Sequence, residues 1–110
     1  MNYTEAKAVK LRAGRRKLSA NLWLEWNNGM YHIRYYTTDI VTLHLDGSVI
    51  LRHGGHLTKS TALLMSLHSP ASVQWVPSKG HLVVGVGKKK YIWEKNVRSI
   101  ELRKGRIIPQ

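Results

Sequence analysis

The sequence contains no cysteine in 110 residues. That absence removes disulfides, zinc–thiolate sites and thiol nucleophiles together. Secreted chains this small commonly lean on disulfides, so a cytoplasmic setting is expected. Acidic residues are scarce: six, against 18 Lys and Arg, for a formal net charge of +12. No apolar run approaches the roughly 20 residues of a membrane span, and none of signal-peptide length follows Met1. No membrane partner is expected. Internal repeats, linkers and low-complexity segments are also lacking, so residues 1–110 read as one domain. No cofactor motif is complete, and none is expected to be needed.

What is present is enough apolar material for a core, 43% of residues, and a very uneven charge. Residues 1–18 hold six basic side chains (Lys7, Lys10, Arg12, Arg15, Arg16, Lys17) against one acid. Residues 19–78 hold three of each sign, and residues 79–110 hold nine basic against two acidic. Generic surfaces mix signs. A field this one-sided attracts polyanions and speeds encounter with them. Nucleic acid, RNA or DNA, is the expected partner. An anionic membrane surface or an acidic protein would satisfy the same charge.

Pattern places the elements. Ala6, Val9 and Ala13, with Ala8 and Leu11, recur at three-to-four spacing. With Thr4 as cap and Glu5 in the first turn they suit a helix over 4–13, with Gly14 as its stop and Arg15-Arg16-Lys17 at its end. Asn28-Gly29 predicts a hairpin over 21–36. That turn pairs Asn27 with Met30, Trp26 with Tyr31, Leu24 with Ile33 and Leu22 with Tyr35, an apolar face. The other face pairs Glu25 with His32 and Trp23 with Arg34, with Tyr36 further along. It reads as an ordinary outer sheet face or as a surface that stacks bases and holds phosphate. A second hairpin over 38–53 turns on Asp46-Gly47, setting Leu43 against Ile50 and Leu45 against Ser48, and is expected to be covered on both sides. A helix over 59–68, capped by Thr58 or Ser60, should pack through Leu63, Leu64 and Leu67, with Pro70 beyond its end. Strands follow at 72–76, 81–86 and 91–94, with Lys88-Lys89-Lys90 as a charged loop tip, and a last pair at 98–102 and 106–108 turns on Lys104-Gly105. The fold class is therefore α+β: an antiparallel sheet of hairpins with an N-terminal helix and one helix packed on the sheet.

Three constellations could carry chemistry. Gly54, Gly55, Thr58, Lys59 and Ser60 open a helix after a strand, where amide groups and the dipole favour an anion. They do not make a Walker loop, because Thr58 stands where the second glycine belongs. An ordinary capped helix fits equally. His44, His53 and His56 cluster in sequence, and the expected register puts His44 and His53 on one face. Two imidazoles with an acid could bind metal, and two near a lysine could cleave RNA by general acid–base catalysis, but no diagnostic spacing is present. The third constellation is the phosphate grip itself: the N-terminal cations, Trp23, Arg34, Tyr36, Lys88–Lys90, and Arg98, Arg103, Lys104 and Arg106.

The segment Thr38-Asp39-Ile40-Val41-Thr42, then Asp46-Gly47-Ser48, Gly54-Gly55, and Thr58 with Ser60-Thr61, resembles a motif of small, mostly uncharacterised proteins of tailed bacteriophages and prophages. The resemblance covers about residues 38–61. It implies a viral protein acting in a bacterial cytoplasm and assigns no catalytic role. Here His56 stands where the family has an aromatic residue, and the helix after it is apolar at Ala62-Leu63-Leu64-Met65. The leading expectation is a non-enzymatic nucleic-acid-binding protein with little sequence preference. The alternatives are an inhibitor of a host defence protein or nucleotide signal, and a small metal-independent ribonuclease. The final strand pair offers an edge to a second copy, which leaves a homodimer open.

Overall fold

Asn2 starts the first helix. Its side chain accepts from the Glu5 N–H (2.8 Å), and the Glu5 carboxylate accepts from the Asn2 N–H (3.2 Å). This reciprocal cap opens α1 (Tyr3–Lys7) in the computed structural model, which describes residues 1–110. The helix is shorter than the periodicity predicts, and Asn2 takes the place expected of Thr4. Only Ala6 is buried on it, while Val9 and Leu11 reach the core from irregular chain beyond. Arg12 and Arg15 then exchange backbone hydrogen bonds (2.9 and 3.2 Å) around Ala13 and Gly14. Both turn residues have positive φ, 53° and 77°. That is a two-residue hairpin turn, so Gly14 reverses the chain instead of ending a helix. The chain leaves it as β1 (Arg15–Ser19), and Arg15-Arg16-Lys17 lie on a strand, not at a helix end. Left-handed backbone costs alanine about 1 kcal/mol, and asparagine tolerates it. Ala13→Asn should therefore raise stability by about 0.5 kcal/mol in a urea titration; a lower midpoint would contradict this turn.

β2 (Leu22–Asn27) and β3 (Met30–Tyr35) pair in the register that Asn28-Gly29 dictates, from Asn27–Met30 to Leu22–Tyr35. β4 (Thr38–Leu43) joins β3 with a bulge, because Ile33 faces Val41 while Arg34 faces Asp39. The extra residue is Ile40, and both Ile40 and Val41 are fully buried. β5 (Val49–Leu51) pairs Leu43 with Val49 and Thr42 with Ile50, one residue away from the expected register. The reason lies in the turn. His44 N–H donates to the Ser48 carbonyl (3.1 Å) and Gly47 N–H to the His44 carbonyl (3.0 Å), closing a three-residue loop with Gly47 at φ 90°. Asp46 fixes it by accepting from the Ser48 hydroxyl and N–H, bonds that hold its carboxyl below the usual carboxylate range. The hairpin is central in its sheet as expected, but its outer face is open: Thr42 and Ile50 remain partly exposed.

Thr58 caps α2 (Lys59–His68), its hydroxyl accepting from Thr61 N–H. The helix buries Thr61, Ala62, Met65 and His68, and of the three leucines only Leu64 packs, partly buried, against the core. Leu63 and Leu67 are 60% and 67% exposed. Ser66 explains the choice. Its hydroxyl accepts from Val73 N–H (2.8 Å) and lies 3.1 Å from the Val73 carbonyl, so α2 satisfies backbone groups of the adjoining strand. Small Thr61 and Ala62 permit that close approach, which a leucine face would not. The strand is β6 (Ser72–Val76), followed by β7 (His81–Val86) and β8 (Lys89–Ile92). Lys89 and Lys90 thus sit in a strand, where the two-residue Gly87-Lys88 turn puts them, and only Lys88 is at the tip. β9 (Ile100–Arg103) and β10 (Arg106–Pro109) turn on Lys104-Gly105, at φ 49° and 75°.

The fold is α+β, with two antiparallel sheets where one was expected. The larger runs β1-β2-β3-β4-β5-β9-β10 and the smaller β6-β7-β8. One core joins them, centred on Leu24, Ile33, Ile40, Val41, Leu43, Leu51, Met65, Leu82, Val84 and Ile100. No helix is long and apolar enough to cross a membrane.

Candidate nucleic-acid interface

β1 is an edge of the seven-stranded sheet. Arg15 lies opposite Glu25, Arg16 opposite Leu24 and Lys17 opposite Trp23. The Arg12–Arg15 turn folds residues 10–12 back beside this strand. Together Lys10, Leu11, Arg12, Arg15, Arg16, Lys17 and Trp23 line an open groove of about 560 Å3. Five of the seven are cations. The Arg15 guanidinium sits 3.9 Å from the Trp23 ring centroid and 3.1 Å from the Glu25 carboxylate. Arg15 is therefore held in place by stacking and by charge. Lys10, Arg12, Arg16 and Lys17 have no ion-pair partner. Four uncompensated cations around an anchored Arg–Trp stack form a surface suited to several phosphates with a planar group between them.

This arrangement revises the contacts read from the hairpin alone. Arg15, not Arg34, covers Trp23. Glu25 pairs with Arg15 and reaches Arg34 at 4.0 Å, while His32 turns to Asp39 (3.6 Å) and the Thr42 hydroxyl (3.1 Å). Arg34 also lies 3.7 Å from Asp39. Two-strand reasoning could not include β1 and β4, whose side chains supply these partners. Arg34 is thus charge-compensated on the outer face. Tyr36 leaves that face altogether: its ring packs on Tyr35 and His56 at the end of the sheet.

The remaining basic residues are spread out. Arg103, Lys104 and Arg106 gather at the β9–β10 turn, with Arg103 tied to Glu101 (2.6 Å), and Arg98 precedes β9. Since β1 and β10 are opposite edges, six strand spacings of about 4.8 Å put the two clusters roughly 29 Å apart along the sheet. Lys88, Lys89 and Lys90 belong to the smaller sheet, and Lys7 ends α1. The cations form one built groove and several separate outliers.

The glycine loop spends its amides internally. Gly55 N–H donates to His53 Nδ1 (3.0 Å), His56 N–H to the His53 carbonyl, Leu57 N–H to the Gly55 carbonyl and Thr58 N–H to the His56 carbonyl. Of the expected anion cradle, Gly55 and Thr58 have committed donors, and Lys59 and Ser60 are exposed at the helix start. A Cβ on Gly54 would press into the Thr38 side chain. Its role is close packing between the loop and β4.

The histidines separate. His44 lines a groove with Met1, Tyr3 and Pro70, His53 packs edge-on to Trp93 (4.7 Å), and His56 stacks near Tyr36. The shared face expected for His44 and His53 depended on the register that the three-residue turn displaced. No group of three or more His, Asp or Glu side chains is placed to hold a metal ion. Burial lowers the pKa of His53 and of His68, with smaller contributions from His56 and the N-terminal ammonium. A histidine lowered in the folded state stabilises the fold above its unfolded pKa of about 6.5 and loses that stabilisation as pH falls toward the folded value. The melting temperature should accordingly drop as pH falls below about 6.5, and His68→Gln should flatten the drop.

Comparison with protein-family models, with curated proteins and with solved structures finds no match to this chain.

Proposed function

We propose that this chain binds nucleic acid through the β1 groove, gripping the phosphate backbone with little sequence preference. The observation that carries the reading is the gathering of Lys10, Arg12, Arg16 and Lys17, none ion-paired, around the Arg15–Trp23 stack. Cations without acidic partners release counterions when phosphates replace them, which supplies affinity without reading bases. Arg103, Lys104 and Arg106, on the far edge, would engage only a ligand that follows the sheet across. No cofactor is invoked. A bacterial cytoplasm, as for a phage-encoded protein, is the proposed setting. The test is binding of labelled single-stranded RNA, single-stranded DNA and duplex DNA at low and high salt. Affinity falling steeply with salt is expected; no binding at low salt would overturn the reading.

A second reading is favoured by a separate observation. Leu63 and Leu67 are one helical turn apart and exposed, and Leu63 borders a groove of about 540 Å3 with Val73, Trp75, Val76 and Pro77. An apolar surface of this kind suits a host protein, as an inhibitor of a defence system would require. Leu63→Lys with Leu67→Lys would then abolish capture of one host protein while leaving nucleic-acid binding intact.

A further inference from the structure

Tyr36 is held in a conformation that an aromatic residue avoids. Its φ is 55°, in the left-handed region, where a bulky side chain is a genuine outlier. Such strain persists only where the surroundings enforce it. Here the enforcement is visible. Tyr36 and Thr37 are the two turn residues between the paired Tyr35 and Thr38, and such a hairpin turn requires positive φ at its first position. Tyr36 N–H also donates to the Asn21 carbonyl (2.9 Å). The strain has a geometric product. A β continuation would leave Tyr36 on the same face as Arg34. The reversal instead swings its ring around the sheet end onto the loop after β5.

There the ring meets His56. The two planes are nearly parallel, 14° apart with centroids separated by 5.8 Å, and the Tyr35 ring packs at an angle to both. Tyr36 is nonetheless 52% exposed. The loop that carries His56 is fixed against β4 by Gly54, whose missing Cβ lets it lie on Thr38. A strained backbone thus delivers a half-exposed aromatic ring to a rigid support that already stacks on it. The turn itself would be met by glycine or asparagine at this position, and neither burial nor a hydrogen bond of the phenol accounts for an aromatic ring there.

We propose that Tyr36 and His56 form a stacking platform for an unpaired nucleobase, which makes the ligand single-stranded. This rests on the nucleic-acid reading above. A duplex keeps its base faces in its own stack, whereas a single strand offers them to aromatic side chains. The platform lies at the end of β3, across the sheet from Trp23 by way of the Trp23–Arg34 pair. A strand leaving the β1 groove would cross Arg34 on the outer face and round the end of the sheet to reach Tyr36.

The test compares Tyr36→Gly, Tyr36→Phe and His56→Ala with the unaltered chain, using a labelled oligo-uridine, oligo-thymidine and a blunt DNA duplex at one salt concentration. Tyr36→Gly should weaken binding of the single strands about tenfold or more and leave the duplex unchanged. Its salt slope should stay as it was, because no cation is removed. Tyr36→Phe should retain binding, and His56→Ala should lose part of it. Tyr36→Gly should also raise the melting temperature, because glycine relieves the strain. Weaker binding in a more stable protein is a signature that a purely structural tyrosine would not give. Single-strand binding unchanged in Tyr36→Gly, with binding still lost when the β1 cations are removed, would overturn the platform and leave the groove standing. No binding of any oligonucleotide by the unaltered chain would overturn both.

Discussion

Replacing Arg12, Arg16 and Lys17 together by glutamine should lower single-strand affinity on the order of a hundredfold at 0.1 M salt. The estimate follows from counterion release. Each cation that neutralises a phosphate contributes about 0.7 to the slope of log affinity against log salt for a single strand, so three contribute about 2. The same variant should therefore flatten the slope by about 2, and the two effects should extrapolate to a common affinity near 1 M salt. All three side chains are exposed and none is ion-paired, so the melting temperature should hardly move. Arg15 is left in place because its contacts with Trp23 and Glu25 would mix a packing loss with the electrostatic one. Glutamine at Arg98, Lys104 and Arg106 is the matched control: all three are exposed and without an ion pair. The same charge is removed from the opposite side of the sheet, where Arg98 N–H donates to the Gln110 carbonyl beyond β10. A smaller loss there would place the phosphate path on the β1 groove. Equal losses would mean that the ligand follows the sheet across to both edges. A triple β1 variant that binds like the unaltered chain would displace the groove from its role.

Gly54→Ala should be the most destabilising small substitution in the chain, by about 3 kcal/mol. Two costs add. The residue has φ 57°, which disfavours alanine by about 1 kcal/mol. The new methyl would also press into the Thr38 side chain on β4, and overpacking of that kind costs roughly 1–3 kcal/mol. For a domain of this size the sum is a fall of about 10–20 °C in melting temperature. Thr38→Ala in the same chain should recover the steric share and leave the backbone share. Gly55 is the contrast. It also has positive φ, at 88°, but open space where its Cβ would stand. Gly55→Ala should cost only the backbone share. If the glycine pair served mainly as an anion cradle, both substitutions would impair ligand binding without this difference in stability.

The parts legible in the sequence were those set by local rules. Asn28-Gly29 determined the β2–β3 register residue by residue, because a two-residue turn leaves no freedom in which side chains face one another. Thr58 and Pro70 bracketed α2, and the strands over 72–76 and 81–86 stand where alternation put them. The cations of the β1 groove were recognisable by composition, and Trp23 by its outward parity on β2. The groove itself was not. A helical stripe of Ala6, Val9 and Ala13 argued for a long helix, whereas an Ala13-Gly14 turn sent the chain into an edge strand. Gly14 fits a helix stop and a hairpin turn equally, and no short-range signal separates the two.

The sequence by itself determined the α+β class, the sign and placement of the charge, and every strand pair joined by a two-residue Asn-Gly or Lys-Gly turn. Tertiary structure decided the rest. It chose the buried face of α2, because Ser66 completes hydrogen bonds of β6 that no leucine could make. It chose which arginine covers Trp23, because β1 and not β3 supplies it. It brought Tyr36 to His56, 20 positions later in the chain. In each case the deciding partner is distant in sequence, and its contribution is a backbone hydrogen bond, a charge or a ring plane that residue periodicity does not encode.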